Sequence, residues 1–459
     1  IMDNKRSIIS GFLILVGIGL LIAIYFLPIW WVSLTAPNYP EEAFPDGVRI
    51  HFHMNGVFNG CKKIDKVEIT EDEALDCVHE MDTINHYVGM YPIAAGGVIE
   101  RAFSPFLVAL LGVMLLGFLC RKPKIRMIIM SAGFVAIAVW MYLTWYGEDG
   151  LKYQSKGYIH ALVTAMDQDT DKETGSDSLS SGQALIERLK QELGEYYVPP
   201  ETAKSDAEVA DKASSRKIDS IDHLRGTFEK DMERKSGNDK LVWDGSGRQM
   251  MSWHYQKNLG RYFNNPEEIT PMVATMSWAA EVFFWGIIAA MALLVFGARK
   301  NSGLLYWLLI LVPLALPLFF IIEYSAWLWW YGHNLNAMGA FSVKPFMPTV
   351  FGQGKVAQFT THSYPAIGFG LMVLMSVLLS LAALIRRKQS QEHDGRSMST
   401  MLTSFRALVV LVCLLPLYSS ASELLPLQPL IDETEDGETL LLPAGRYAGP
   451  VIIDHPMIL

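Results

Sequence analysis

Six long apolar runs divide this chain into stretches of very different texture. They cover residues 8–31, 104–120, 127–146, 276–297, 304–324 and 367–385. The first is long enough to cross about 30 Å of hydrocarbon at about 1.5 Å per helical residue, and the others fall within the usual length range of spans. The pattern predicts an α-helical polytopic membrane protein with six transmembrane helices. A seventh apolar run, in residues 398–422, is signal-peptide-like. It opens at Met398, carries Arg406, passes through an apolar core and ends in small residues before Glu423. Residues 423–459 then alternate apolar positions around Pro-Ala-Gly and Asp-His-Pro turns, which reads as a short β-solenoid-like fragment. One coil is too short to bury a core by itself. The expectation is that a second protein's beginning has been joined in frame to the first protein's end, the first starting at Met2. A genuine seventh span with a short outer tail is the rival, and it gives residues 423–459 the same side of the membrane.

The short connections fix an orientation. Lys5 and Arg6, RKPKIR at 121–126, ARK at 298–300 and RRK at 386–388 all fall on one side when six spans alternate. Basic residues favour the cytoplasm, so the N-terminus is expected inside. The predicted order is an N-terminal helix in 1–31, an outer loop 32–103, a helical hairpin 104–146 and an outer insertion 147–275. A second hairpin 276–324, an outer loop 325–365 and a last helix 366–388 follow. IWWVSL after the first run is read as an interfacial aromatic belt. The two hairpins end in TWYGEDG and LWWYGHN, an echo that fits either a duplication or a recurrent boundary pattern. Within 147–275, residues 167–180 are polar and acidic without periodicity. SGQALIERLKQELGEYY has helical spacing, Ser214–Arg234 is a second amphipathic stretch, and Trp243–Phe263 returns to the membrane. This insertion is expected to be a small helical cap.

Composition adds the membrane class: 51% of the 459 residues are apolar, with 12 Trp, 22 Phe and 18 Tyr. The net charge of −9 resides in the long loops and leaves no basic face for nucleic acid. No GxxxxGK[ST], HExxH or GxSxG occurs, and no nucleophile–base pair stands out, so the chain is not expected to be an enzyme. No CxxCH is present and no histidine lies in a span, which argues against haem.

The chemistry concentrates in the first outer loop. His51, His53, Met54, Cys61, Cys77, His79, Met81, His86 and Met90 lie within forty residues. Imidazole, thiolate and thioether together suit a soft cation, Cu(I) above all. His51 and His53 alternate as on a strand face, as do Cys77, His79 and Met81. His86 and Met90 would share a face if DTINHYVGM is helical. His333, in WWYGHN, is a further candidate beyond span five. Cys61 and Cys77 face an oxidising compartment, so a disulfide is an open alternative to ligation. Glu281 and Glu323, near outer span ends, could mark a pathway, with water-facing side chains as the plainer account.

LTAPNYPEE, INHYVGM, YGHNL and FGQGKVAQFTTHSYP resemble the NosB family, the polytopic membrane proteins of clade II nitrous oxide reductase gene clusters. The resemblance covers residues 2–390 apart from 165–260. It matches Asn85, His86, Tyr87, Gly89 and Met90, then Tyr331, Gly332, His333 and Asn334. Residues 398–459 resemble the start of the NosD family of periplasmic β-helical proteins. The resemblance implies a bacterial inner-membrane accessory protein of nitrous oxide respiration with periplasmic loops. Copper handling or maturation of the reductase is the first expectation. A membrane scaffold for electron delivery from quinol or cytochrome is the alternative, and a small-molecule or ion permease the third. The reductase and its maturation or electron-transfer proteins are the expected partners.

Overall fold

The structure is a computed structural model. It describes residues 2–39, 41, 44–61, 76–167, 206–235, 240–299, 303–340, 343–356, 358–394, 425–426 and 447–448. The chain divides into two compact units, Ile1–Ser390 and Gln391–Leu459. The second contributes one parallel pair, Leu425–Pro426 with Tyr447–Ala448. The signal-like run 398–422, the rest of the solenoid-like fragment, residues 168–200 with their expected helix, and the spacer 62–75 lie outside the described residues.

Five helices of the first unit are long and apolar enough to cross a membrane: α1 (Met2–Phe26), α3 (Val98–Leu119), α4 (Pro123–Tyr146), α8 (Pro266–Gly297) and α11 (Ile367–Asp394). A sixth passes only if α9 (Leu304–Leu314) and α10 (Leu316–His333) are taken together across a bend of 65°. This is the architecture of a helical membrane protein. In α3, 61% of the apolar window is buried, against 28% in α4 and α8, so α3 is the bundle's centre. Pro105 deprives the Arg101 carbonyl of its helical donor, and the Ser104 hydroxyl takes it at 2.9 Å.

Three expected boundaries move. The first helix stops at Phe26, ahead of Pro28, and the Trp-Trp stretch after it is not helical. It is strand β1 (Trp30–Thr35), with Trp30 fully buried and its indole donating to Ser363 Oγ at 2.8 Å. Second, α8 begins at Pro266, ten residues ahead of the expected apolar run at 276. Third, the fifth run is two helices. Pro317 has no N–H for the Pro313 carbonyl, and Ala315 turns the chain at φ −81°, ψ 2°. Ser376 on α11 donates to the Leu314 carbonyl at 2.7 Å, so the break is partnered.

The segments between the apolar helices hold a sheet that the hydrophobic pattern did not announce. β1, β2 (Val48–His53), β3 (Gly56–Asn59), β4 (Gly352–Val356) and β5 (Phe359–Pro365) run antiparallel in the order β3-β2-β1-β5-β4. The loops 32–103 and 325–365 therefore meet, with Ser33 opposite His362. Helix α2 (Cys77–Tyr87) covers one face through Leu34, Val48, Ile50, Val78 and Met81. Asp76 caps α2 by accepting from the Val78 and His79 amides. Helices α5 (Lys156–Asp167), α6 (Asp206–Arg234) and α7 (Gly247–Gly260) lie in the insertion, with α7 against α3, α4 and α8.

Candidate functional site

The soft donors of the first loop do not converge. Cys61 and Cys77 form a disulfide with Cα atoms 6.1 Å apart, pinning the start of α2 beside the sheet. Of the two possibilities open in the sequence, the structure takes the bridge, and neither sulfur is a thiolate ligand. His51 and His53 do share a strand face, as the alternation predicts, but they pack rather than reach out. His51 pairs with Trp31 and Phe58, and the His53 ring sits edge-on to Phe58 at 4.9 Å. Burial lowers both imidazole pKa values, that of His53 to about 4. Met54 packs against the main core, and Met81 is buried under the sheet.

Cys77, His79 and Met81 lie on a helix rather than a strand, so their alternation gives no shared face. His86 is sandwiched against Tyr262 and Phe263, with ring centroids 4.8 and 5.2 Å away. The helix ends at Tyr87, and Gly89 turns the chain at φ +85°. Met90 is thereby carried into the core, away from the helical position that would have paired it with His86. His333 stacks on Trp329 at 4.5 Å at the exposed end of α10. Among the described residues, no three His, Cys, Asp or Glu side chains are grouped to hold a metal ion.

The motif segments do meet one another. The Asn336 amide donates to the Gly89 carbonyl at 2.8 Å, and a Cβ on Gly89 would lie 2.7 Å from the Asn336 carbonyl oxygen. A Cβ on Gly332 would meet the Phe346 carbonyl oxygen more closely still. Buried Asp82 and Tyr331 and half-buried Arg101 then clasp residues 92–97. Asp82 on α2 accepts from the Ile93 amide at 2.6 Å. Arg101 on α3 donates to the carbonyls of Ala94, Gly96 and Gly97. Tyr331 on α10 donates to the Pro92 carbonyl at 2.8 Å. Asp82 is completely buried, its Oδ2 has no hydrogen-bond partner, and burial pushes its pKa up to about 7. His254 on α7, held by the Asn258 amide, is kept neutral by burial and by the nearby Arg101 and Arg261 charges.

Beside this clasp lies a cavity of about 510 Å³. α9 packs against α3 and α8, whereas the bend at Ala315 turns α10 away from them, and the wedge left between is the cavity. Glu100 in the first turn of α3 and Glu323 on α10 supply its carboxylates. Tyr255, Met272, Met276, Trp327 and Trp330 supply most of its apolar wall. Size and character are those of a small-molecule site: mostly apolar, with few polar groups. Glu323 thus lines this open cavity, half-buried. Glu281 is engaged elsewhere, by Arg248 at 3.0 Å and by Tyr146 and Trp145.

Sequence reasoning singled out Glu323 but missed Glu100, Asp82, Arg101 and His254. A carboxylate and a guanidinium adjacent at the start of an apolar run were the available signal. Comparison with protein families, curated proteins and solved structures finds no match for this chain.

Proposed function

We propose that this chain is a membrane accessory protein of nitrous oxide respiration, acting on the electron-supply side through its outer cap and the adjoining cavity. In this reading it crosses the bacterial inner membrane six times, with α9 and α10 as one bent span. The N-terminus is cytoplasmic and the sheet and cap periplasmic. The basic residues at 121–126, 298–300 and 386–388 support that orientation. The segments that carry the family resemblance all contribute to one outer assembly: the β1 end, the α2 end with its turn, the α10 end and the β4–β5 hairpin.

The observation that carries the electron-supply role is the cavity, apolar-walled and acid-lined at the outer ends of the spans. A scaffold that holds a lipid-soluble reductant near a periplasmic electron carrier needs such a recess. Copper handling has less support, because two sulfurs are bridged and His51, His53, Met54, Met81 and Met90 are engaged in packing. The broken span is a permease-like feature. It is the one observation favouring that reading, and its carbonyl at Leu314 is occupied by Ser376.

The test is nitrous oxide consumption by cells lacking residues 2–390. Consumption should stop on physiological donors and recover in extracts given an artificial electron donor. Unchanged consumption on physiological donors would remove the chain from this pathway.

A further inference from the structure

We infer that the cavity between α3, α7, α8 and α10 binds the reduced ring of a lipid-soluble hydroquinone, its hydroxyls donating to Glu100 and Glu323. This rests on the electron-supply reading and names the ligand class for the same site.

Three features of the recess select that chemistry. Its polar groups include the carboxyls of Glu100 and Glu323, whose oxygens can accept hydrogen bonds from ring hydroxyls. The wall offers aromatic faces and two flexible thioethers, with Trp327 and Trp330 at 5.6 Å and nearly perpendicular. Such a slot accepts a flat ring without a fixed outline. The recess opens at the surface, where Pro271, Thr275 and Ala326 are exposed. Trp278, 69% exposed one turn further along α8, is placed as an interfacial anchor. A tail can leave sideways between α8 and α10 while the ring stays inside.

Glu100 and Glu323 differ in what holds them. Glu100 is in the first turn of α3, where the helix N-terminus favours its charge. Glu323 is mid-helix on α10 and has no such support, so it is the acceptor more sensitive to the ligand. No electron leaves the ligand in this proposal; it concerns binding of the reduced form.

The experiment is an anaerobic titration of the full chain in phosphatidylcholine nanodiscs with a decyl hydroquinone and, separately, its quinone. The reduced form should bind at least about tenfold more tightly, the scale of one charge-assisted hydrogen bond. Glu323→Gln should lose about tenfold for the hydroquinone and little for the quinone. Trp327→Ala should weaken both, and Trp327→Phe should restore both, which separates ring contact from misfolding. Equal affinity for the two forms, or hydroquinone affinity untouched by Glu323→Gln, overturns the assignment. Displacement of the hydroquinone when the discs contain phosphatidylethanolamine also overturns it and gives the recess to an aminophospholipid. If no hydroquinone binds but the deletion strain still needs an artificial donor, this assignment falls and the proposed function stands. If hydroquinone binds and the deletion strain respires normally, the reverse holds.

Discussion

At the scale of single residues, the cap is held by buried polar atoms, most of them partnered, and Asp82 is an exception that can be tested. One of its oxygens accepts from Ile93 and the other has no partner. Its folded pKa of about 7 lies above its ordinary value of 3.8, so the folded state binds a proton that the unfolded chain releases. Its contribution is therefore full below about pH 4, shrinks as pH rises through this window, and is flat above about pH 7. Asp82→Asn keeps the acceptor for Ile93 and needs no proton. It should raise the thermal midpoint at pH 8 and change it little near pH 4. A midpoint difference independent of pH would mean that Asp82 is ionised in the folded cap. Gly89 works differently, through its positive φ and its contact with Asn336. Gly89→Ala should cost about 2 kcal/mol or more in a chemical unfolding measurement, since both the backbone angle and the space are lost.

At the scale of elements, the disulfide and the broken span do most of the positioning. The Cys61–Cys77 bridge closes a loop with a sequence separation of 16. Reducing it should destabilise the cap by about 3 kcal/mol. Neither cysteine should react with an alkylating agent until a reductant is added. Removing the hydroxyl in Ser376→Ala leaves the Leu314 carbonyl without its donor from α11. The expected cost is about 1 kcal/mol, read as a lower thermal midpoint.

The helices of the bundle were legible because length and apolarity report a span directly, and the bridge was legible as one of two options. The sheet was not. Its strands come from loops far apart in sequence, and Trp30-Trp31 looks the same whether it packs on Ser363 or anchors in lipid. The donor set misled because residue type survives in the sequence and direction does not. Met90 differs from His86 only by the turn at Gly89, which sends one into the core and leaves the other on aromatic rings. The cavity was illegible for the same reason, since Glu100 and Glu323 are brought together only by the bend at Ala315.

At the scale of the whole molecule, the account needs the cap and the cavity mouth on the periplasmic side. With Cys120 and Cys413 replaced, a cysteine at Lys152 should label in intact cells with an impermeant maleimide. One at Lys124 should label only after lysis. The reverse pattern would put the cap in the cytoplasm, away from any periplasmic reductase. The central claim is that the chain supplies electrons rather than metal. The measurement that addresses it most directly is the copper content of nitrous oxide reductase purified from cells lacking residues 2–390. The account predicts a fully loaded enzyme, idle in those cells and active with an artificial donor. A copper-depleted enzyme would contradict it and return the function to metal delivery.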